Sequence, residues 1–301
     1  MNLFQTYLDK IYTILLSEKT KQKGEYFIIT IAILSFLIHL LLIVLNDFNA
    51  LPSGISKELL NNPIAAIYTP FSFILLYEVY LLVYYLPKST SQYINKQYEI
   101  IALVVIRRIF KDISNIDLNT KWFENNYDLM LSYDLITTIV LLSLIVVFNR
   151  LSKSTDSVSV DQFSPRLQRF IRQKKTLALT LVPIFIGLAI YSLYHWILNN
   201  VLDNTSSIDK LTDINDIFFN EFFTILILSD VLLLLFSLYH TDKFSKVIRN
   251  SGFIISTILI RLSFAATGLT NDIIIIAAVV FGVLILIIHN LFEYKSVKKV
   301  T

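Results

Sequence analysis

At 301 residues, 55% of them hydrophobic and only 16% charged, with mean hydropathy +0.63, the chain carries more apolar surface than a soluble fold of this length could hide. It contains no cysteine, which excludes disulfides, thiolate metal sites and cysteine nucleophiles; its four histidines form no metal-like cluster, and nothing indicates a cofactor. The net charge of +3 is too small to suggest nucleic acid as a partner; it carries information only through where the basic residues sit.

The N-terminal stretch places Leu3, Phe4, Tyr7, Leu8, Ile11, Tyr12 and Leu15 at helical spacing, which predicts an amphipathic helix on the membrane face. A basic cluster, Lys19, Lys21 and Lys23, follows without a small-residue cleavage site, so the first membrane helix is expected to serve as the targeting signal. Tyr26 to Leu45 is nearly uninterrupted apolar sequence apart from Thr30, Ser35 and His39. The second span begins at Pro63, a residue tolerated in a first helical turn, and carries Glu78 at its centre. Apolar stretches at about 130–149, 176–199, 217–240, 250–267 and 272–292 are each long enough to cross a hydrocarbon core of about 30 Å.

Tyr98 to Phe110 decides the topology, because its apolar core is short before Arg107 and Arg108. If it does not cross, Arg150, Lys153, Arg166, Arg169, Arg172, Lys174, Lys175, Lys243, Lys246 and Arg249 all lie outside, against the positive-inside rule. If it crosses, they join Lys10, Lys19, Lys21, Lys23, Lys88 and Lys96 on the cytoplasmic side, leaving Lys57, Lys121 and Lys210 outside. The expectation is therefore an all-α polytopic membrane protein with eight spans, at about 26–46, 63–86, 96–115, 130–149, 176–199, 217–240, 250–267 and 272–292, and with both termini cytoplasmic.

An internal repeat agrees with this reading. Tyr98 to Phe110 aligns without gaps on Gly252 to Phe264, matching Arg107 with Arg261, and Ser72 to Leu86 aligns on Thr224 to Leu238, matching Glu78 with Asp230. Asp134 and Asp272 both stand near the start of the following span. The chain then divides into a first four-helix half, 1–149, a polar and Ser-rich linker with a second surface helix, 150–175, and a second half, 176–301, related by an axis along the membrane normal.

The residues that could carry chemistry are the charges inside the spans. Glu78 lies ~12 Å from the cytoplasmic end of span two, and Arg107 at a similar depth from the start of span three, at 1.5 Å per residue. An isolated charge there costs from about 2.5 kcal/mol upward, so Glu78 is expected to pair with Arg107 and Asp230 with Arg261. Such pairs either line a path for protons or ions, with His39, Asp134 and His195 as further polar stations, or clamp helices in register. Arg108 is expected to reach the exterior interface beside Lys111 by snorkelling, and Tyr77, Tyr80 and Tyr84 form a stripe suited to packing.

No phosphate-cradling glycine loop, HExxH or Gly-x-Ser-x-Gly occurs, so no catalytic residue is assigned and the chain is not expected to be an enzyme. With six glycines and six prolines it also lacks the interrupted helix pairs typical of many transporters. The Ile, Lys and Asn bias points to an AT-rich bacterial genome, hence a bacterial inner membrane. Three functions stay open: a non-catalytic component that assembles with a membrane partner or with itself in the bilayer, a proton- or ion-coupled transporter or channel, and, behind these, a membrane-embedded enzyme with a site built from the same intramembrane residues.

Overall fold

The computed structural model describes residues 3–48, 66–114, 126–156, 165–197, 214–240 and 243–298. Among these, helices account for nearly all of the chain and no strand occurs: α1 (Leu3–Leu15), α2 (Glu18–Asp47), α3 (Tyr68–Tyr85), α4 (Thr90–Ser114), α5 (Asn126–Asp156), α6 (Pro165–Ile197), α7 (Ile214–His240), α8 (Phe244–Ser263) and α9 (Leu269–Lys298). Lys57, Lys121 and Lys210, expected in exterior loops, and Pro63 at the expected start of span two, lie outside the described residues.

Among the described residues, five helical segments are long and apolar enough to cross a membrane: Tyr7–Asp47, Asp128–Lys153, Gln168–Tyr191, Glu221–His240 and Leu269–Tyr294. The chain is thus a helical protein with several helices of membrane-spanning character. Helix α3 is apolar but shorter, and α4 and α8 fall short on composition, because α4 carries Asn95, Lys96, Gln97, Glu99, Arg107 and Arg108. Yet α4 has 25 residues, about 37 Å at 1.5 Å per residue, and its polar groups face other helices more than the surroundings.

Ser17 separates the amphipathic N-terminal helix from α2. Its hydroxyl accepts from the Thr20 backbone amide at 3.2 Å, satisfying one of the amide groups that a helix start leaves open. The surface helix expected around Leu167, Phe170 and Ile171 is present but does not end before the span: α6 runs unbroken from Pro165, a residue suited to a first helical turn, to Ile197.

Sequence neighbours pack in two series, α2 on α3 on α4 on α5, and α6 on α7 on α8 on α9, and α5 lies along α9. The buried positions of α5 include Asp134, Thr137, Leu141, Ile145 and Phe148, and those of α9 include Asp272, Ile275, Val279, Val283 and Leu286 at the same successive intervals. Over this stretch both helices therefore turn the same register of their faces inward, with Asp134 and Asp272 in corresponding places.

Helices α4, α5, α8 and α9 meet at an aromatic layer. The rings of Tyr98 and Phe148 stand edge to face with centroids 5.1 Å apart, and Phe148 meets Phe253 at 5.5 Å. The Tyr98 hydroxyl lies 2.8 Å from Ser256 Oγ, which donates to the Ala278 carbonyl at 2.6 Å. A Cβ at Gly282 would stand 1.8 Å from the Tyr98 hydroxyl, so this crossing requires glycine. Lipid tails are as apolar as leucine, so close fit and interhelical hydrogen bonds of this kind, rather than water exclusion, hold such helices together. Gly268, with φ 58°, makes the turn into α9, and the Asn271 side chain closes it by donating to the Ser263 carbonyl at 2.6 Å.

Candidate functional site: buried charges around α4

Glu78 of α3 faces Lys96 of α4, with Nζ to Oε2 at 2.6 Å, and Lys96 also reaches Glu99 at 2.9 Å. The expected pairing with Arg107 does not form. That expectation starts the third span at about residue 96, whereas α4 begins at Thr90, directly after the turn at Pro87. In the resulting antiparallel hairpin Glu78 and Lys96 stand equally far on either side of Pro87, and Arg107 lies a further ~16 Å along the axis.

Asp230 of α7 likewise does not meet Arg261. Both its oxygens accept from the Gln97 side-chain amide, at 3.2 and 3.1 Å. Helix α8 starts just after α7 ends at His240, so the level opposite Asp230 falls near Ile254, and Arg261 is about 10 Å beyond it. Helix α4 fills the level instead, which puts a neutral amide where the repeat pattern suggested a guanidinium.

The densest charge cluster is one the sequence reading assigned to the interface. Arg108 does not snorkel: its Nε donates to Asp134 Oδ2 at 2.6 Å, its Nη2 contacts both Asp134 and Asp272, and its Nη1 donates to Asn271 Oδ1 at 2.9 Å. The two carboxylates are almost wholly buried, while the Arg108 side chain keeps 33% of its surface open. A guanidinium is suited to this because its planar fork can serve several acceptors at once. The signal that could have found it is the paired tetrapeptide Leu131-Ser132-Tyr133-Asp134 and Leu269-Thr270-Asn271-Asp272, which sets an aspartate at the same place in the buried pattern that α5 and α9 share. Arg107 and Asp112 are buried near the same end of α4.

Other polar groups fasten helix ends. His39 Nδ1 lies 2.5 Å from the Thr69 hydroxyl, joining α2 to α3. The tyrosine stripe of α3 ties that helix to the α1–α2 junction: Tyr77 donates to the Lys21 carbonyl at 3.2 Å, Tyr80 to the Leu15 carbonyl at 2.9 Å, and Tyr84 to Glu18. Lys88, in the turn between α3 and α4, donates to the Tyr84 hydroxyl at 2.7 Å; desolvation lowers its ammonium pKa, opposed by nearby Glu18. The side chains of His195 and Trp196 are outside the described set.

Lys174 corrects the sequence reading in another way. Expected in the basic linker on the cytoplasmic side, it is 4% exposed, donating to the Lys88 carbonyl at 2.9 Å and lying over the Phe170 ring at 5.0 Å. Sequence distance from an apolar run is a poor guide here, because α6 is already packed on its neighbours at that point.

Two small cavities flank Asp230, each with room for about one water molecule. One is shared with Gln97, Thr257 and Arg261; the other with Tyr93, Lys174 and Asn250. Among the described residues no group of three or more His, Asp or Glu side chains is arranged to hold a metal ion. No family model matches this sequence, and neither a curated protein nor a solved structure is detectably similar to it.

Proposed function

We propose that this chain is a non-catalytic component of a bacterial inner membrane, built as two four-helix halves with eight spans and cytoplasmic termini, which assembles with a membrane partner or with a second copy. The observation that carries the reading is the Arg108 cluster: one cation of the first half bonds Asp134 of α5 and Asp272 of α9, and so couples the two halves. Charges used in this way define helix register. The matching buried registers of α5 and α9 support the duplication, and the length of α4 supports its crossing. Broad apolar faces, such as Ile29, Ile33, Leu37 and Leu41 on α2 and Ile186 and Ile190 on α6, offer surface to lipid or to another membrane helix.

A second reading, a proton- or ion-coupled transporter or channel, is favoured by Asp230, which is buried without a contacting cation and lines both cavities. The two readings separate in one preparation. Native mass spectrometry from lipid nanodiscs, after mild extraction of chain expressed at its natural level, should give a complex of fixed stoichiometry, while liposomes of the isolated chain should pass neither protons nor alkali ions. A monomer that carries gradient-driven flux, lost in Asp230→Asn, overturns the assembly reading.

A further inference from the structure

Asp230 is set apart from Glu78, Asp134 and Asp272, each of which meets a cation directly. It is 2% exposed, and its carboxylate accepts from the uncharged amide of Gln97, with the Tyr93 and Thr257 hydroxyls beside it and no cation in contact. Two more buried oxygens stand in the same neighbourhood with no hydrogen-bond partner: Gln97 Oε1, on a residue 4% exposed, and the Tyr93 hydroxyl, on a residue 1% exposed. An unmatched carboxylate inside a helix bundle is strongly unfavourable, and so are orphaned oxygens beside it. One bound positive charge would relieve both.

The surroundings narrow the ligand. Helix α4 presents Tyr93 and Gln97, α8 presents Asn250, Thr257 and Arg261, α6 presents Lys174, and α3 contributes the apolar Leu82. Among the described residues lining the cavities the cationic side chains are Arg261 in one and Lys174 in the other, and neither contacts the carboxylate. The candidate donors are all oxygens, which suit hard cations. A single carboxylate balances one positive charge, and space for about one water excludes an ion that retains a full hydration shell. We propose that Asp230, with Gln97 and Tyr93, binds one exchangeable monovalent cation, a proton or an alkali-metal ion, reached through the cavity that Lys174 lines. Binding does not require that the ion cross the membrane, so the site is independent of the assembly reading.

The test uses the full chain in nanodiscs and a hydrophobic carbodiimide, which adds to protonated carboxyl groups in apolar surroundings, with adducts mapped by peptide mass. Labelling is run from mildly acid to mildly alkaline pH in sodium, potassium or choline chloride, alongside thermal melting of wild type and Asp230→Asn in each salt. The expected result is an adduct on Asp230 well above those on Glu78, Asp134 and Asp272, declining as pH rises. Equal labelling in the three salts assigns the proton. Protection by sodium or potassium relative to choline, or a sodium- or potassium-dependent rise in Tm that Asp230→Asn loses, assigns the alkali ion. Gln97→Leu and Tyr93→Phe should shift the pH at which labelling is half lost, or weaken the protection, and they carry the test if Asp230→Asn fails to fold. An adduct indifferent to pH and salt overturns the proposal. So does absence of adduct with no melting response to salt that depends on Asp230, Gln97 or Tyr93.

Discussion

Arg108 of α4 holds Asp134 of α5 with two nitrogens, Nε at 2.6 Å and Nη2, and the same Nη2 touches Asp272 of α9. Three helices thus depend on one side chain. Removing the cation alone leaves two buried carboxylates without compensation, whereas removing all three charges leaves a neutral layer. Arg108→Met should lower unfolding stability by about 3–5 kcal/mol, and adding Asp134→Asn and Asp272→Asn should recover most of the loss. Denaturant titration in mixed micelles measures both; a triple variant no more stable than the single one would show that the carboxylates are not balanced by Arg108.

Glu78 and Lys96 should be energetically coupled and Glu78 and Arg107 should not. In double-mutant cycles, with Glu78→Gln combined with Lys96→Met or with Arg107→Met, the first pair is expected to show a coupling of about 0.5–3 kcal/mol and the second a value near zero. The reverse ranking would mean that α4 sits in a different register against α3.

Gly282 admits the Tyr98 hydroxyl to the α9 backbone. Gly282→Ala places a Cβ 1.8 Å from that oxygen and should cost about 1–3 kcal/mol through overpacking. Tyr98→Phe removes the nearest clashing atom, so the double variant should melt above Gly282→Ala alone, although the Tyr98 Cζ position at 2.9 Å remains tight. If the two changes simply add, the approach of α4 to α9 is looser than described.

Topology is testable because the chain is free of cysteine. Single cysteines at Asn125 and Asn204 should react with an impermeant thiol reagent in intact cells, and cysteines at Ser154 and Ser296 should react only after permeabilisation, as the one-sided Lys and Arg distribution requires. Labelling of Ser154→Cys together with Asn204→Cys in intact cells would refute the eight-span arrangement.

Composition and helical periodicity by themselves determined that the chain is helical, with several helices of membrane-spanning character, that an amphipathic helix precedes the first, and that ionisable groups sit among apolar ones. These properties are local: length, apolar content and spacing are sums over neighbouring residues, and they survive any rearrangement of partners. Which charges meet was not local. It depended on α4 starting at Thr90 rather than at about residue 96, which sets Lys96 at the level of Glu78 and leaves Arg107 ~16 Å past it. It also depended on α4 crossing to α7, which gave Asp230 a neutral amide, and on α5 lying along α9, which brought two aspartates distant in sequence onto Arg108. A buried charge must find a partner, but the partner is whichever group stands at the same depth on the adjoining face, and only the packed helices decide that.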